Sequence, residues 1–331
     1  MAKVDLAGTV ADNKNAKHGF DLARFWDRWG ILAVLLVLTI FMVLVAPNFT
    51  TMSNGFNIAR AVSINAVLAA GMTLVILTAG IDLSVGSIVG VSGVVSILLW
   101  NAGTGPVISV LGGIAVGALA GLVNGILVAY LALPAFIVTL GAMTYLRGTA
   151  YALTDAKPLI ADGELGFRFL GTGNIAGIPA PVLIMLAVYI ALWFVLERTR
   201  FGRHIYAVGG NAEAARLAGI KVKRVLTRVY LLAGLTAGIA GVMFAARVDS
   251  GQPRAGEGYE LDAIAAVVLG GTSLAGGRGR IHGTFIGALI MGVLSNGLTL
   301  MNVPFFSQLI VKGVVIVLAI GIDSLKNWKK N

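Results

Sequence analysis

A few polar side chains interrupt long apolar stretches of this 331-residue chain, and they are its candidates for chemistry. Asp82 and Ser84 lie between two apolar segments, whereas Glu260 and Asp262 open a third. The candidates for lining a polar path through an apolar interior are Asp82, Ser84, Glu260, Asp262, Asn296 and Lys312. Ionisable groups at membrane depth are costly to desolvate, so they are usually paired or functional. Carboxylates, hydroxyls and amides of this kind bind polar solutes through hydrogen bonds.

Each of these residues also has a purely structural interpretation. Asp82 or Ser84 suits the N-cap of the helix that follows, and such a cap is compatible with a functional role at a break between helices. We hypothesise that Lys312 pairs with Asp262 or Glu260. The alternative is a lysine that snorkels to the membrane surface beside two interfacial acids.

No catalytic or metal-binding constellation can be argued from the sequence. The chain has no cysteine, and its three histidines, His18, His204 and His282, share no helical spacing with another ligand type. The glycine-rich stretch 270–284 superficially resembles a phosphate-binding loop, but it lacks the Lys-Ser or Lys-Thr of a Walker sequence. We therefore expect a flexible turn there, no metal site, and a protein that is not an enzyme.

The segment 206–219 is polar and helix-forming, and it lies in the most basic stretch of the chain. Asn211 is a good N-cap, Glu213 lies in the first turn where the helix dipole favours an acid, and Gly219 can end the helix. The residues that we assign to docking on a soluble partner are Asn211, Glu213, Ala214, Ala215, Arg216 and Gly219. Their mostly small side chains suit a cleft. The alternative is an ordinary amphipathic connector between two spans.

Membrane-spanning helices are the elements that must position these residues. The chain is 57% hydrophobic and 12% charged, whereas a soluble protein of this size has about 25% charged residues. The stretches without charge are 29–59, 61–81, 83–146, 169–196, 229–246 and 281–311. Because a span needs about 20 apolar residues, we predict an all-α polytopic membrane protein.

About ten apolar segments are separated by glycine, proline and charged residues. They are 30–46, 63–79, 85–101, 107–131, 134–154, 179–197, 226–247, 259–271, 282–301 and 307–323. The segments 63–79 and 259–271 are short for a crossing. Short or broken helices are tolerated where they line a cavity, because protein or water satisfies the freed backbone groups. For the break at Gly80–Ser84, a tight hairpin at the membrane surface is the alternative.

Lysine and arginine set the expected orientation, because they are enriched in cytoplasmic loops. With both termini in the cytoplasm, eighteen basic residues face inward and six face outward. The expected parts are a cytoplasmic tail 1–28, a single transmembrane domain 29–325 and a cytoplasmic tail 326–331. Within the domain, 198–225 is the expected cytoplasmic coupling loop and 155–178 is the expected periplasmic segment.

Three long blocks of the sequence carry a family resemblance: Ala70–Ser87, Tyr206–Gly219 and Gly258–Gly277. In these blocks the chain resembles the permease subunits of ATP-binding-cassette importers for monosaccharides, most of all the ribose import permeases. Arabinose, xylose and galactoside permeases are relatives of that group. The likeness extends over nearly the whole chain apart from its N-terminal residues.

The resemblance implies a homodimeric permease in the bacterial inner membrane, with ATPase subunits bound inside and a periplasmic sugar-binding protein docking outside on 155–178. ATP and Mg²⁺ are then expected on the partner ATPase, with no cofactor on this chain. Glu213-Ala214-Ala215 and Gly219 match the coupling motif that inserts into the ATPase. The I-x-L-P continuation of the longer motif is missing, since residues 229–232 read Val-Tyr-Leu-Leu.

Two other classes of transporter stay open as alternatives. An ion-coupled secondary transporter usually places acids in the middle of a span, whereas Asp82, Glu260 and Asp262 lie near the ends of the predicted spans. A branched-chain amino-acid importer permease has a similar architecture. Its zwitterionic substrate would need charged or dipolar partners if the permease held it tightly.

Overall fold

The computed structural model describes residues 22–328, and most of them are helical. In chain order the described helices are α1 (Leu22–Val45), α2 (Met52–Leu77), α3 (Val85–Asn101), α4 (Pro106–Tyr130), α5 (Ala135–Ala152), α6 (Phe169–Thr172), α7 (Ala180–Arg198), α8 (Arg200–Gly210), α9 (Ala212–Leu217), α10 (Val222–Val248), α11 (Tyr259–Leu269), α12 (Ile281–Leu300) and α13 (Phe305–Trp328). The short strands pair antiparallel, β1 (Leu159–Ile160) with β4 (Ser250–Gly251) and β2 (Asn174–Ile175) with β3 (Ile178–Pro179).

Several of these helices are suited to a membrane by length and composition. Within the described residues, α2, α4, α7, α10 and α12 are long and apolar enough to cross it, and α1, α3 and α13 contain shorter apolar stretches. A helix of 20 residues is about 30 Å long, which is the thickness of the hydrocarbon core. The predicted class, a mostly helical polytopic membrane protein, is confirmed.

Each of the ten predicted apolar segments coincides with a helix, but the second is longer than predicted. The expected short segment 63–79 forms only the C-terminal part of α2, which begins at Met52. Thr51 caps this helix, because its hydroxyl oxygen accepts a hydrogen bond from the Asn54 amide at 3.3 Å. Polar residues such as Asn54 and Arg60 lower the hydropathy of the first turns of α2. A prediction from apolar runs therefore did not include these turns.

The centre of the bundle consists of α2, α3 and α10, which are buried over most of their lengths. Glycines bring α4 and α10 together, because small residues on helix faces allow close backbone approach. A methyl group added at Gly117 would lie 2.6 Å from the Gly234 carbonyl oxygen and 2.7 Å from the Cα of Gly238. The two backbones are therefore in direct contact.

The first break in the helices, residues 78–84 between α2 and α3, buries its polar side chains and leaves Ala79 exposed. Asp82 and Ser84 have no exposed surface. The Thr139 hydroxyl of α5 donates a hydrogen bond to the Ile81 carbonyl at 3.2 Å, so protein groups satisfy part of this irregular backbone. These contacts support the interpretation of a helix break that is packed against protein groups.

A second irregular stretch, 249–258, connects α10 to α11 and runs along α3 in the opposite direction. Gly251 packs against Val94, and Gly256 packs against Gly86 at the beginning of α3. The 11-residue helix α11 therefore starts partway along the bundle rather than at its end. This arrangement explains why the eighth predicted segment is too short for a full crossing.

The polar segment 155–178 folds over one end of the bundle. It contains α6 and three of the short strands, and β1 attaches it to β4. The Trp100 indole donates to the Asp162 carbonyl at 3.0 Å, and the Asn101 amide group donates to the Ile160 carbonyl at 2.9 Å. The segment is therefore fixed to the end of α3.

The terminal helices extend beyond the boundaries that were predicted from the apolar segments. Helix α1 begins at Leu22, within the expected tail 1–28, and α13 ends at Trp328, beyond the expected boundary at 325. The rest of both expected tails, 1–21 and 329–331, lies outside the described residues.

Candidate functional site

The predicted docking segment 206–219 is divided between two helices rather than forming one. Helix α8 ends at Gly210, and α9 begins after Asn211, whose extended backbone (φ −162°) interrupts the helical path. The Asn211 side-chain oxygen accepts a hydrogen bond from the Ala214 amide at 2.9 Å, as expected for the N-cap. Gly219 has a φ of +84° just after α9, a conformation that favours glycine.

The short helix α9 presents most of its residues to solvent. The exposed members of the predicted docking set are Asn211, Glu213, Ala214, Arg216 and Gly219, whereas Ala215 is buried. Arg216 donates to both carboxylate oxygens of Glu213, at 3.0 and 2.5 Å. These bonds lower the pKa of Glu213 below its ordinary value of 4.5, so the carboxylate is ionised at neutral pH.

Helix α8 joins α9 to the bundle through a set of close contacts. The Tyr206 hydroxyl donates to the Gly279 carbonyl at 3.1 Å, and the Gly277 amide donates to the Leu77 carbonyl at 2.9 Å. Gly209 lies so close to the Leu77 carbonyl that a methyl group there would collide with it. The glycine-rich turn therefore packs between α2 and α8. Displacement of α8 would act directly on the end of α2.

Asp82 and Ser84 form a buried hydrogen-bond network at the first break. The Ser84 amide and hydroxyl both donate to Oδ1 of Asp82, at 2.9 and 2.6 Å. Asn124 of α4 donates to the Ser84 hydroxyl at 2.9 Å. Among the described residues, Oδ2 of Asp82 and Oδ1 of Asn124 have no hydrogen-bond partner. The network thus holds the start of α3 and keeps free hydrogen-bonding capacity.

The predicted pairing of Lys312 is confirmed, and its partner is Asp262. Lys312 Nζ lies 2.8 Å from Oδ2 of Asp262, and the two side chains are 19% and 6% exposed. The alternative of a snorkelling lysine is therefore wrong. The pair attaches α13 to the first turn of α11, where the helix dipole also favours the carboxylate.

Glu260 points away from this pair and toward α3. Its carboxylate occupies the space into which a methyl group on Gly86 would project. Because Gly86 follows Ser84 by two residues, the first turn of α3 lies between the buried Asp82 network and Glu260. The second irregular stretch packs on the same turn through Gly256.

Arg147 was missed as a site residue because the sequence marks it only as an outward-facing charge. Its guanidinium donates to the carbonyls of Pro253 and Ala255, at 2.7 and 2.6 Å. These bonds hold the irregular stretch 249–258 against α5. The sequence does contain one indication of its role, because Arg147 is the first charged residue after the 64 uncharged residues 83–146.

Asn296 has a different role from the other pathway candidates. It forms a reciprocal amide pair with Asn54, with hydrogen bonds of 3.1 and 3.0 Å that join α12 to α2. Asn54 also donates to the Phe49 carbonyl at 3.0 Å. The polar candidates thus fall into three separate places: around the start of α3, at the α11–α13 contact, and at the start of α2.

A bundle of apolar helices with buried polar breaks and an exposed, capped helix on one loop defines an integral membrane transport subunit. The chain belongs to the family described as branched-chain amino acid transport system / permease component, whose model matches residues 54–320. It is a permease and a multi-pass protein of the inner membrane. The family resemblance seen in the sequence is confirmed.

The relatives cover nearly the whole chain. The ribose import permease protein RbsC of Escherichia coli (strain K12) is 49% identical over 315 residues, 94% of this chain and 98% of the relative. The protein of the same description from Bacillus subtilis (strain 168) is 47% identical, with 88% and 91% covered. The L-arabinose transport system permease protein AraH of Escherichia coli (strain K12) is 39% identical, with 100% and 99% covered. No solved structure matches the chain.

Proposed function

We propose that this chain is the membrane-spanning permease of an ATP-driven importer that carries a monosaccharide, ribose or a closely related sugar. The supporting observation is the identity to relatives described as ribose import permeases, 41–49% over most of the chain. Relatives described for allose and arabinose are 39% identical. A neutral sugar offers no charge for an electrical driving force, so uphill import needs a coupled conformational change.

The proposed topology has ten spans and both termini in the cytoplasm. The spans are α1 to α5, α7 and α10 to α13, within a domain 29–325 flanked by the tails 1–28 and 326–331. This arrangement places the basic stretch around α8 and α9 inside, in agreement with the bias of lysine and arginine. The segment 155–178 then faces the periplasm.

The proposed coupling surface is α9 with its flanking residues Asn211 and Gly219, inside the loop 198–225. An ATPase subunit, which would hold ATP and Mg²⁺, receives this small exposed helix in a cleft. Closure of the ATPase would move α8 as a rigid body. The contacts of Tyr206 and Gly209 would pass that movement to the glycine-rich turn and to α2.

Two further partners complete the proposed importer. A second copy of this chain would form the other half of the permease. A periplasmic sugar-binding protein would dock on 155–178, which is attached to the bundle through β1 and the end of α3. This attachment supports the proposal, because docking outside would then act on the helix that begins at the buried Asp82 network.

The proposed pathway runs beside the start of α3, where Asp82, Ser84 and Glu260 lie. Asp82 and Ser84 have no exposed surface in this conformation, so a conformational change would have to bring their oxygens into contact with sugar hydroxyls. Oδ2 of Asp82 is without a partner among the described residues and could accept such a bond. Asp262 and Lys312 would position α11 and α13 around this region rather than contact the sugar. Asn296 would hold α12 on α2.

The test of the substrate is uptake by the chain reconstituted in liposomes with its ATPase and its binding protein. We expect accumulation of labelled ribose that unlabelled ribose competes away and leucine does not. The description of the family favours branched-chain amino acids as the second candidate. Accumulation of labelled leucine without ribose uptake would establish that candidate and reject ours.

A further inference from the structure

A groove between α7 and α12 has the composition of a site for a single acyl chain. Its walls are one face of each helix, namely Leu186, Tyr189, Ile190 and Trp193 of α7, with Ile281, His282, Phe285 and Ile286 of α12. These spacings of three and four residues are those of one helix face. The cavity has a volume of about 400 Å³, within the range of small-molecule sites.

Aromatic contacts define the floor and the mouth of this groove. Tyr189 and Phe285 meet edge to face with ring centroids 5.2 Å apart, and Trp193 and His282 lie 6.3 Å apart. The guanidinium of Arg198 lies over the Trp193 ring at 5.6 Å. Tyr189 lines the groove, and its buried hydroxyl has no hydrogen-bond partner among the described residues.

The mouth of the groove carries a concentration of positive charge. The exposed basic residues at the end of α7, the start of α8 and the start of α12 are Arg198, Arg200, Arg203 and Arg280. Glu197 is the one acid among the residues from 169 to 212. From Leu186 to Arg198 the helix rises about 18 Å, close to the ~15 Å of one hydrocarbon leaflet.

We infer that this groove binds an anionic phospholipid of the cytoplasmic leaflet, with one acyl chain along Tyr189 and Trp193 and the phosphate at Arg198 and Arg280. Lipid tails are as apolar as the groove, so burial of the tail gives little selectivity. Selectivity must come from the arginines, since basic pockets between helices on the cytoplasmic side suit anionic headgroups. The inference rests on the proposed topology, which places the end of α7 inside.

The test uses vesicles that contain phosphatidylglycerol or phosphatidylcholine with a bromine-labelled acyl chain, which quenches nearby tryptophan. The contribution of Trp193 is the difference between the chain and its Trp193→Phe variant. We expect labelled phosphatidylglycerol to quench Trp193 at a lower lipid fraction than labelled phosphatidylcholine. The double variant Arg198→Gln/Arg280→Gln should lower this preference about 25-fold, roughly five-fold for each charge.

The matched control is Arg224→Gln/Arg228→Gln, which removes two exposed arginines from the start of α10, outside the groove. It should keep the preference, and circular dichroism should show unchanged helix content in both double variants. Equal quenching by the two lipids, or the same loss in both double variants, would overturn the inference. Because the vesicles carry the lipid in both leaflets, this result is independent of the orientation and of sugar transport.

Discussion

At the scale of single residues, two charged side chains inside the bundle are matched by specific protein partners. Lys312 and Asp262 form an ion pair across α13 and α11. Arg147 instead donates to backbone carbonyls of an irregular stretch. The ion pair fixes α13 on α11, and Arg147 fixes the stretch 249–258 on α5. Hydropathy alone does not predict either position.

Loss of one member of the buried ion pair should be more harmful than loss of both. Lys312→Met leaves the 6%-exposed Asp262 carboxylate without its cation, and we expect a destabilisation of about 3–5 kcal/mol. Lys312→Met/Asp262→Asn removes both charges and should recover most of that loss. Thermal unfolding of the purified chain in detergent measures both variants. Equal losses in the single and double variants would show that the pair is not what holds α13 to α11.

Arg147→Met should release the stretch 249–258. The change leaves two carbonyls without their charged donor, and each such bond contributes about 1.5–3 kcal/mol. Because the chain has no cysteine, Ala255→Cys gives a single reporter. Its labelling by a membrane-impermeant maleimide should become at least roughly ten-fold faster in the Arg147→Met background.

The control for this experiment is Arg254→Met, a neighbouring arginine whose side chain is 74% exposed and pairs with Glu257. Exposed pairs contribute little, so labelling of Ala255→Cys should stay near its original rate. If the two arginine variants accelerate labelling equally, Arg147 does not secure the stretch.

At the scale of elements, close backbone contacts decide where the broken helices lie. The beginning of α3 packs against the irregular stretch at Gly256, and α8 packs against the end of α2 at Gly209. Neither contact leaves space for a methyl group. Direct backbone contact at glycine allows irregular segments to pack inside the bundle. For the same reason, Gly209 and Gly256 do not tolerate a side chain.

Gly86→Ala should destabilise the protein by about 1–3 kcal/mol, because the added methyl group collides with the Gly256 carbonyl and the Glu260 carboxylate. The matched control is Gly141→Ala in α5, where an added methyl group has no neighbour within 4 Å. There the same substitution should stabilise the helix by about 0.5–1 kcal/mol. If the temperature of thermal unfolding changes in the same direction and by the same amount in both variants, the packing of α3 against 249–258 is contradicted.

At the scale of the whole molecule, the helices were predictable and their mutual arrangement was only partly so. Apolar segments separated by glycine, proline and charged residues located all ten apolar helices, and Asn211 and Gly219 marked the limits of the exposed helix. The inward path of 249–258 was not predictable, because it depends on Arg147 reaching carbonyls about a hundred residues away in sequence. The pairing of Asn296 with Asn54 was not predictable either, because the two residues are 242 positions apart and uncharged amides give no charge pattern that would link them.

The proposed function as a whole depends on the coupling between α9 and an ATPase. Gly219 has a positive φ and no atoms within 4 Å of an added Cβ, so Gly219→Val acts on the backbone preference at a position with free space around the Cβ. The strain of about 1–3 kcal/mol should displace α9 from its docking position. Gly103→Val is the matched control, with a φ of +77° and the same free space in the loop between α3 and α4.

The most direct test measures ribose uptake into liposomes that contain this chain and are supplied with its binding protein. Uptake is compared with and without the ATPase and ATP, for the unchanged chain and both valine variants. We predict uptake only when the ATPase and ATP are present, a loss of roughly ten-fold or more in Gly219→Val, and near-normal uptake in Gly103→Val. Uptake driven by an ion gradient in liposomes without any ATPase would contradict the account.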